Sequence, residues 1–493
     1  MACDTDPILQ RQVIYSLFVR NHTTEGTFAA VIDDLPRIRS LGCDFIWLLP
    51  IHPIGRRARK GSLGSPYAIR DYRAINPEHG TLGDFEALVG AIHARGMKVM
   101  IDVVYNHTSP DSVLFAAHPE WFYHRANGRP ANRVGDWSDV IDLDYAHEDL
   151  WDYQIETLCQ WARLVDGFRC DVASFVPMAF WERARRAVER VHPGLVWLAE
   201  TVHRSFGSAC RRAGRYCATD GEAFGAFDME YAYDVQEAFE RHLAGAIPLS
   251  CYLDLLDFQE NAYPRTYDKL RFLENHDVER IAGRVPDPRA LRNLTTLLYL
   301  TKGTTLVYAG QERALSHLPS LFDRDPVDWT AGSDLSGLMR ALADIKHGYL
   351  GTQDQVCYRA DDAHDMAIVD HRSEDGRLVG ICSLKGEAAK VEVDMPDGRY
   401  RNLIDGGIVT VADGSLACTG DPLVLHAPWG RRNDPRPVPR DAVHAVGAWR
   451  NPRAKHPACH EPCYESAATA ALSSSVRLTA SQVKSGSVRP KWP

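Results

Sequence analysis

One alternation restricts this chain more than any other feature. Short β-branched or aromatic runs recur along it: "QVIYSLFV", "DFIWLLP", "KVMIDVVY", "VDGFRCD", "LVWLAE", "AFDMEYAY", "KLRFLENHD" and "TTLVYAGQE". Each is followed by a longer amphipathic stretch. Phe85 to Arg95, Leu150 to Leu164, Trp181 to Val191 and Leu291 to Leu300 space their apolar residues as helices do. About eight strands alternating with helices predict parallel βα units, and about eight such units are what a TIM barrel needs. An open doubly wound sheet is the alternative architecture. It would call for a Gly-rich phosphate loop after the first strand, and "VRNHTTEGTF" supplies none.

The alternation is interrupted twice. From His107 to Tyr145, after the third strand, the chain is irregular and rich in Pro, Asp, Asn, His and aromatics, which predicts a small insertion on the barrel rim. After about residue 345 the helical spacing stops, and "DMAIVDHR", "LVGICSLK", "KVEVDM", "YRNLID" and "PLVLHAP" alternate between Asp-Gly and Pro-Asp-Gly turns. The expected organisation is therefore a (β/α)8 barrel over 1–106 and 146–344, the insertion over 107–145, and a C-terminal antiparallel β-sandwich over 345–429. The Pro-, Arg- and Ser-rich stretch 430–493 reads as a disordered tail. Its His456, Cys459, His460 and Cys463 are soft ligand types, but zinc sites usually pair ligands across two elements, so the tail reads as solvated.

Charge and composition exclude several functions. A formal net charge of -9 without a long basic run gives no electrostatic case for nucleic acid or a membrane surface, and neutral substrates fit better. The start "MACDTDPILQRQ" lacks the apolar core of a secretory signal, and no apolar run is long enough to span a bilayer; a cytoplasmic location is expected. The 12 cysteines have no regular spacing, and Cys43 and Cys170 lie in apolar runs, so reduced thiols are expected. The Asn-X-Thr triplets at Asn21, Asn106 and Asn293 are then chance occurrences.

Chemistry should sit at the C-terminal ends of the barrel strands. In "VDGFRCDVASF" the period of two puts Arg169 and Asp171 on one face of a buried strand, which costs desolvation unless the charges serve each other or a ligand. Other strand ends are polar too: "DVVYNH" at Asp102 to His107, "WLAE" at Glu200, and "FLENHD" with Asn275, His276 and Asp277. A lone acid there is usually a helix cap or a loop ion pair. Three carboxylates gathered with an arginine and two histidines would shift one another's pKa values, as an acid/base pair near neutral pH requires.

"DVVYNH", "GFRCDVASF", "LAET" and "FLENHD", in this order and at these spacings, resemble the four signatures of the α-amylase family of glycoside hydrolases. The resemblance runs from about Gln12 to Trp329 and includes "GCDFIWLLPIHP", "GSPYAIRDY" and "GTTLVYAGQE". It implies a retaining glycosidase with Asp171 as nucleophile, Glu200 as general acid/base, and Asp277 as a third carboxylate holding sugar hydroxyls. Tyr67, His107, Arg169 and His276 match the family's substrate-binding positions around the sugar at the cleavage point. Retention needs the two reacting carboxyl groups about 5–5.5 Å apart and a covalent glycosyl-enzyme between two displacements. On this reading Arg169 orients Asp171 and lowers its pKa, while a less polar setting keeps Glu200 protonated.

The chain also departs from the family. Phe175 stands where many α-amylases place a histidine whose carbonyl holds calcium, and Asn106 alone does not make a calcium site, so no metal or other cofactor is expected. Val172 resembles the oligo-1,6-glucosidase and cyclomaltodextrinase branches, whereas Ala68 after Tyr67 departs from the aspartate of strictly exo-acting glucosidases. Trp121, Phe122, Tyr123 and Trp137 in the insertion are rings that either stack on sugars or give a small module its core. The expected partner is a small oligosaccharide, with the oligomeric state left open. The favoured activity is hydrolysis of α-glucosidic bonds in short α-gluco-oligosaccharides. Transglycosylation, phosphorolysis, endo action on starch or glycogen, and a catalytically dead scaffold are the alternatives.

Overall fold

The computed structural model describes residues 4–134, 137–374 and 376–429. The segment expected as a tail, with His456, Cys459, His460 and Cys463, lies outside them.

Eight parallel strands form the barrel: β1 (Val13–Leu17), β2 (Phe45–Leu48), β3 (Lys98–Val103), β4 (Gly167–Cys170), β5 (Val196–Ala199), β6 (Met229–Tyr231), β7 (Lys269–Leu270) and β8 (Thr305–Tyr308). Neighbours run β8-β1-β2-β3-β4-β5-β6-β7. Between β7 and β8 the sheet closes through a parallel bridge from Arg271 to Thr305, with Arg271 N donating to Thr304 O at 2.7 Å and Leu306 N to Arg271 O at 2.8 Å. Closure excludes the open-sheet alternative. Trp47, Met100, Leu198, Tyr231 and Leu306 fill the interior, while Ile46, Val99, Phe168, Trp197 and Val307 face the surrounding helices. The strand period of two assigns these faces.

The expected helices form with slightly earlier starts, at Leu82–His93, Glu148–Trp161, Met178–Glu189 and Pro288–Leu300. Local chemistry sets the starts: Thr81 and Asp84 make a reciprocal capping box, and Pro288 occupies the first turn behind the Asp287 cap. The last barrel helix, Ser336–Tyr349, runs past residue 344, because Leu342, Ala343, Ile345 and Lys346 continue its buried face.

In the insertion, His107–Thr108 pairs antiparallel with Ile141–Asp142. Trp121 and Phe122 are buried and give it a core, whereas Tyr123 lies 4.3 Å from the Arg133 guanidinium. The C-terminal domain has a four-stranded antiparallel sheet, Gln355–Asp361, Met366–Arg372, Gly376–Ser383 and Leu423–Pro428, and two short ribbons. Sheet and ribbons share one apolar core through Met366, Ile368, Ile381, Val391, Val411 and Leu416. Asn293, in one of the Asn-X-Thr triplets, is buried and ties the barrel to this domain, accepting from Ser383 N at 2.8 Å and donating to Gly420 O at 2.8 Å. Nine cysteines among the described residues are free thiols. No helix among the described residues is long and apolar enough to cross a membrane.

Candidate active site

The site is built at the C-terminal mouth of the barrel. Asp171 and Glu200 each follow the last residue of adjacent parallel strands, β4 and β5, so both leave the sheet at one level. Arg169 lies inside β4, fully buried, and its Cα is in register with that of Asp102 on β3. Its Nη1 donates to Asp102 Oδ1 at 2.8 Å and to Asp171 Oδ1 at 2.9 Å. Its Nη2 lies 2.8 Å from Glu200 Oε1, an ion contact without hydrogen-bond angles. The guanidinium is caged by Trp47, Tyr67 and Tyr231, with ring centroids 5.3, 5.7 and 5.4 Å away. One cation thus fixes three carboxylates in a setting that shields it from water.

The other expected residues converge on the same place. Tyr67 Oη donates to Asp102 Oδ2 at 3.1 Å and lies 2.7 Å from His276 Nε2, and the two rings stack at 5.4 Å. His276 Nε2 is 3.0 Å from Asp277 Oδ2, and His107 Nε2 is 3.9 Å from Asp171 Oδ2. Asn275 Oδ1 accepts from the backbone N–H of Asp277 at 2.8 Å and of Val278 at 2.9 Å, which sets the turn that presents the third carboxylate. All seven predicted site residues are brought together.

Asp102 was not among them, although it is completely buried and accepts from Arg169, Tyr67 and, at 3.3 Å, Trp47 Nε1. The signal was an acid in the middle of the apolar run "KVMIDVVY". Trp137 also belongs here: its ring lies 5.4 Å from His107 and 6.4 Å from Phe175, whose other neighbour is Phe206 at 5.8 Å.

Electrostatics corrects one expectation. Burial pushes the Asp171 carboxyl up; Arg169 pulls it down, Asp102 pushes it up again, and the result is a pKa raised to about 6, not lowered. Burial pushes Glu200 further, to about 7, against Arg169 and with help from Asp171 and Asp277. Asp277 goes the other way: burial raises it, but His276 and Arg169 outweigh burial and hold it below the ordinary carboxylate value. Burial lowers the His107 pKa and keeps that ring neutral. The site therefore contains two carboxyls, Asp171 and Glu200, whose burial favours the protonated form, and a third, Asp277, that stays ionised.

The description "Alpha amylase, catalytic domain" matches residues 12–138 and 134–347, and "Bacterial Alpha amylase C-terminal domain" matches 357–425. Alpha-amylase MalA of Haloarcula japonica is 27% identical over 443 residues, covering 82% of this chain and 61% of that protein. An alpha-1,4-glucan:maltose-1-phosphate maltosyltransferase of Myxococcus xanthus is 32% identical over 293 residues, covering 53% of this chain and 42% of that protein. The chain thus spans less than two thirds of the length of these relatives. Among solved structures, an alpha-amylase from Lactobacillus plantarum superposes with a TM-score of 0.83 at 45% identity, covering 86% of this chain and 100% of that one. A noncanonic maltogenic alpha-amylase, AmyB, from Thermotoga neapolitana gives 0.77 at 32% identity, covering 86% and 100%.

Proposed function

The chain belongs to the α-amylase family, and from that premise we propose that it is a retaining glycoside hydrolase cleaving α-glucosidic bonds in short α-gluco-oligosaccharides in the cytoplasm. The observation that carries this reading is the single buried Arg169 touching both Asp171 and Glu200. It holds two carboxyl groups in fixed relation, and their environments push the Glu200 pKa above that of Asp171.

In the first step Asp171 attacks the anomeric carbon while Glu200 passes its proton to the leaving oxygen, giving a β-linked glycosyl-enzyme. In the second, Glu200 takes a proton from water, which displaces Asp171 and restores the α configuration. The Val172 N–H, donating to Glu200 Oε2 at 2.7 Å, fixes the orientation of the acid/base. Asp277, His276 and His107 would hold ring hydroxyls, with the Tyr67 ring packed along the sugar. The small insertion supports short substrates, since much of it is spent on its own core around Trp121 and Phe122.

Transfer is the second reading. Phe175 and Phe206, on the segments that follow Asp171 and Glu200, pack ring against ring and suit a sugar acceptor better than water. The likeness to a maltosyltransferase points the same way. The deciding experiment is the product profile on maltotriose, isomaltose, panose and soluble starch, with and without phosphate. Free short sugars that are α-configured when first formed, phosphate-independent and released fastest from the oligosaccharides, support hydrolysis. Sugar phosphates or lengthened oligosaccharides replace it with transfer, and a clear preference for starch replaces it with endo-acting α-amylase action.

A further inference from the structure

Three loops meet over one side of the site. The segment between β2 and the Leu82–His93 helix carries Lys60, Ser62 and Tyr67; the insertion carries Trp137 and Asp139; the segment after β8 carries Phe322 and Asp323. Lys60 Nζ lies 2.9 Å from Asp139 Oδ1, an ion pair in which the lysine side chain is 34% exposed and the aspartate 6%. Immediately beyond Lys60, Ser62 donates to Asp323 Oδ1 from its N at 2.8 Å and its Oγ at 2.7 Å, and Leu63 N donates to Phe322 O at 2.9 Å. Gly61 has φ +61°, and a Cβ there would lie 2.6 Å from Phe322 Cβ, so the approach of these two loops depends on glycine.

Sheet order gives this collar its direction. Its loops leave β2, β3 and β8, strands that lie together around β1, whereas Glu200 leaves β5 on the far side. The leaving group must lie against the proton donor, so the β2–β3–β8 side is where the sugar retained on Asp171 extends. Asp139 is two residues from Trp137, which packs on His107, and His107 reaches Asp171. The pair therefore bridges the mouth close to the retained sugar.

Resting on the proposed glycosidase reading, we infer that Lys60 and Asp139 are specificity-determining residues. Their ion pair closes the retained-sugar end of the site, so that chains enter by their non-reducing end and are cut from that end. A partly buried pair suits this role, because replacing Lys60 leaves the desolvated Asp139 carboxylate facing the mouth, and replacing either residue breaks the bridge. The charges of Asp139 and Lys60 reach His107, on the sugar-binding side of Asp171.

The test uses the full chain and two substrates, a maltoheptaoside free at its non-reducing end and the same compound blocked there. The unmodified enzyme should cleave the free compound at least about tenfold faster by kcat/KM, because the blocking group has no room beyond the pair. Lys60→Met and Asp139→Asn should each raise the blocked-to-free ratio about fivefold or more while kcat on maltotriose stays within about threefold, since only the remote end is opened. The exchanged pair Lys60→Asp/Asp139→Lys should return the ratio towards the original. A ratio near one in the unmodified enzyme overturns the inference without any variant being needed, and so does an unchanged ratio in folded single variants. If neither maltotriose nor the free heptaoside is cleaved, the glycosidase reading fails and takes the inference with it; normal cleavage with an unmoved ratio defeats the inference alone.

Discussion

The backbone N–H of Val172 donates to Glu200 Oε2 at 2.7 Å. The residue that follows the proposed nucleophile thus holds the proposed acid/base. Val172 makes the contact from a left-handed conformation, φ 36° and ψ 45°, which a β-branched residue rarely adopts. Such strain persists where surrounding structure enforces it, and here the enforcing partners are the Glu200 carboxylate and the Ala173 N–H bond to Glu200 O at 2.9 Å. The turn after β4 and the end of β5 are locked to each other, which keeps the two carboxyl groups at a fixed separation.

Asp102 should matter to both stability and rate. It is fully buried, with Arg169, Tyr67 and Trp47 donating to it. Asp102→Asn removes the negative charge facing Arg169, and a destabilisation of about 2–4 kcal/mol is expected from a broken buried pair. Because Arg169 then loses one of its anchors, kcat should fall about tenfold to a hundredfold. Denaturant melts and kcat measured together check this; an unchanged melt would mean that Asp102 contributes no net pairing.

The pH profile follows from two raised pKa values. On the proposed roles, the active form has Asp171 ionised and Glu200 protonated. As pH falls through about 6, Asp171 takes up a proton and activity is lost; as pH rises through about 7, Glu200 loses its proton and activity is lost again. The kcat/KM profile on maltotriose should be a narrow bell with its maximum between these values, and the apparent constants belong to the pair. In Glu200→Gln, assayed with a substrate whose leaving group needs no proton, the alkaline limb should vanish. A maximum below about pH 5 or above about pH 8 would contradict the assignment of roles.

Much of this was legible in the sequence, for reasons specific to each element. The barrel showed because β-branched runs and amphipathic helices repeat, and Arg169 and Asp171 showed because charges inside a buried strand demand an explanation. Asp102 was visible only as one acid in an apolar run; its meaning lies in the β3–β4 register, which sets it opposite Arg169. Glu230 and Lys269 are similar: β6 and β7 place them in register, facing outwards to an ion cluster with Asp220. The direction of the Asp171 shift was illegible, because burial, Arg169 and Asp102 oppose one another and only distances decide the sum. Composition could not separate Trp121 and Phe122, which form the insertion core, from Trp137, which faces the site.

Chelation should leave this enzyme active. Phe175 packs its ring against Trp137 and Phe206, and among the described residues no group of three or more His, Cys, Asp or Glu is placed to hold a metal ion. Activity and melting temperature should be the same before and after prolonged treatment with EDTA. A loss restored by calcium would overturn this prediction and would place a metal elsewhere in the fold.

The central claim is that Asp171 carries the sugar between two displacements. α-Glucosyl fluoride offers the most direct measurement, because fluoride departs without a proton donor whereas the second step still needs Glu200 as base. With the Glu200→Gln variant the glycosyl-enzyme should accumulate, and mass spectrometry of a peptic digest should find one hexosyl group on the peptide containing Asp171 and none on that peptide from Asp171→Asn. A hexosyl group on Asp277, or a β-configured free sugar with no adduct at all, would contradict the account.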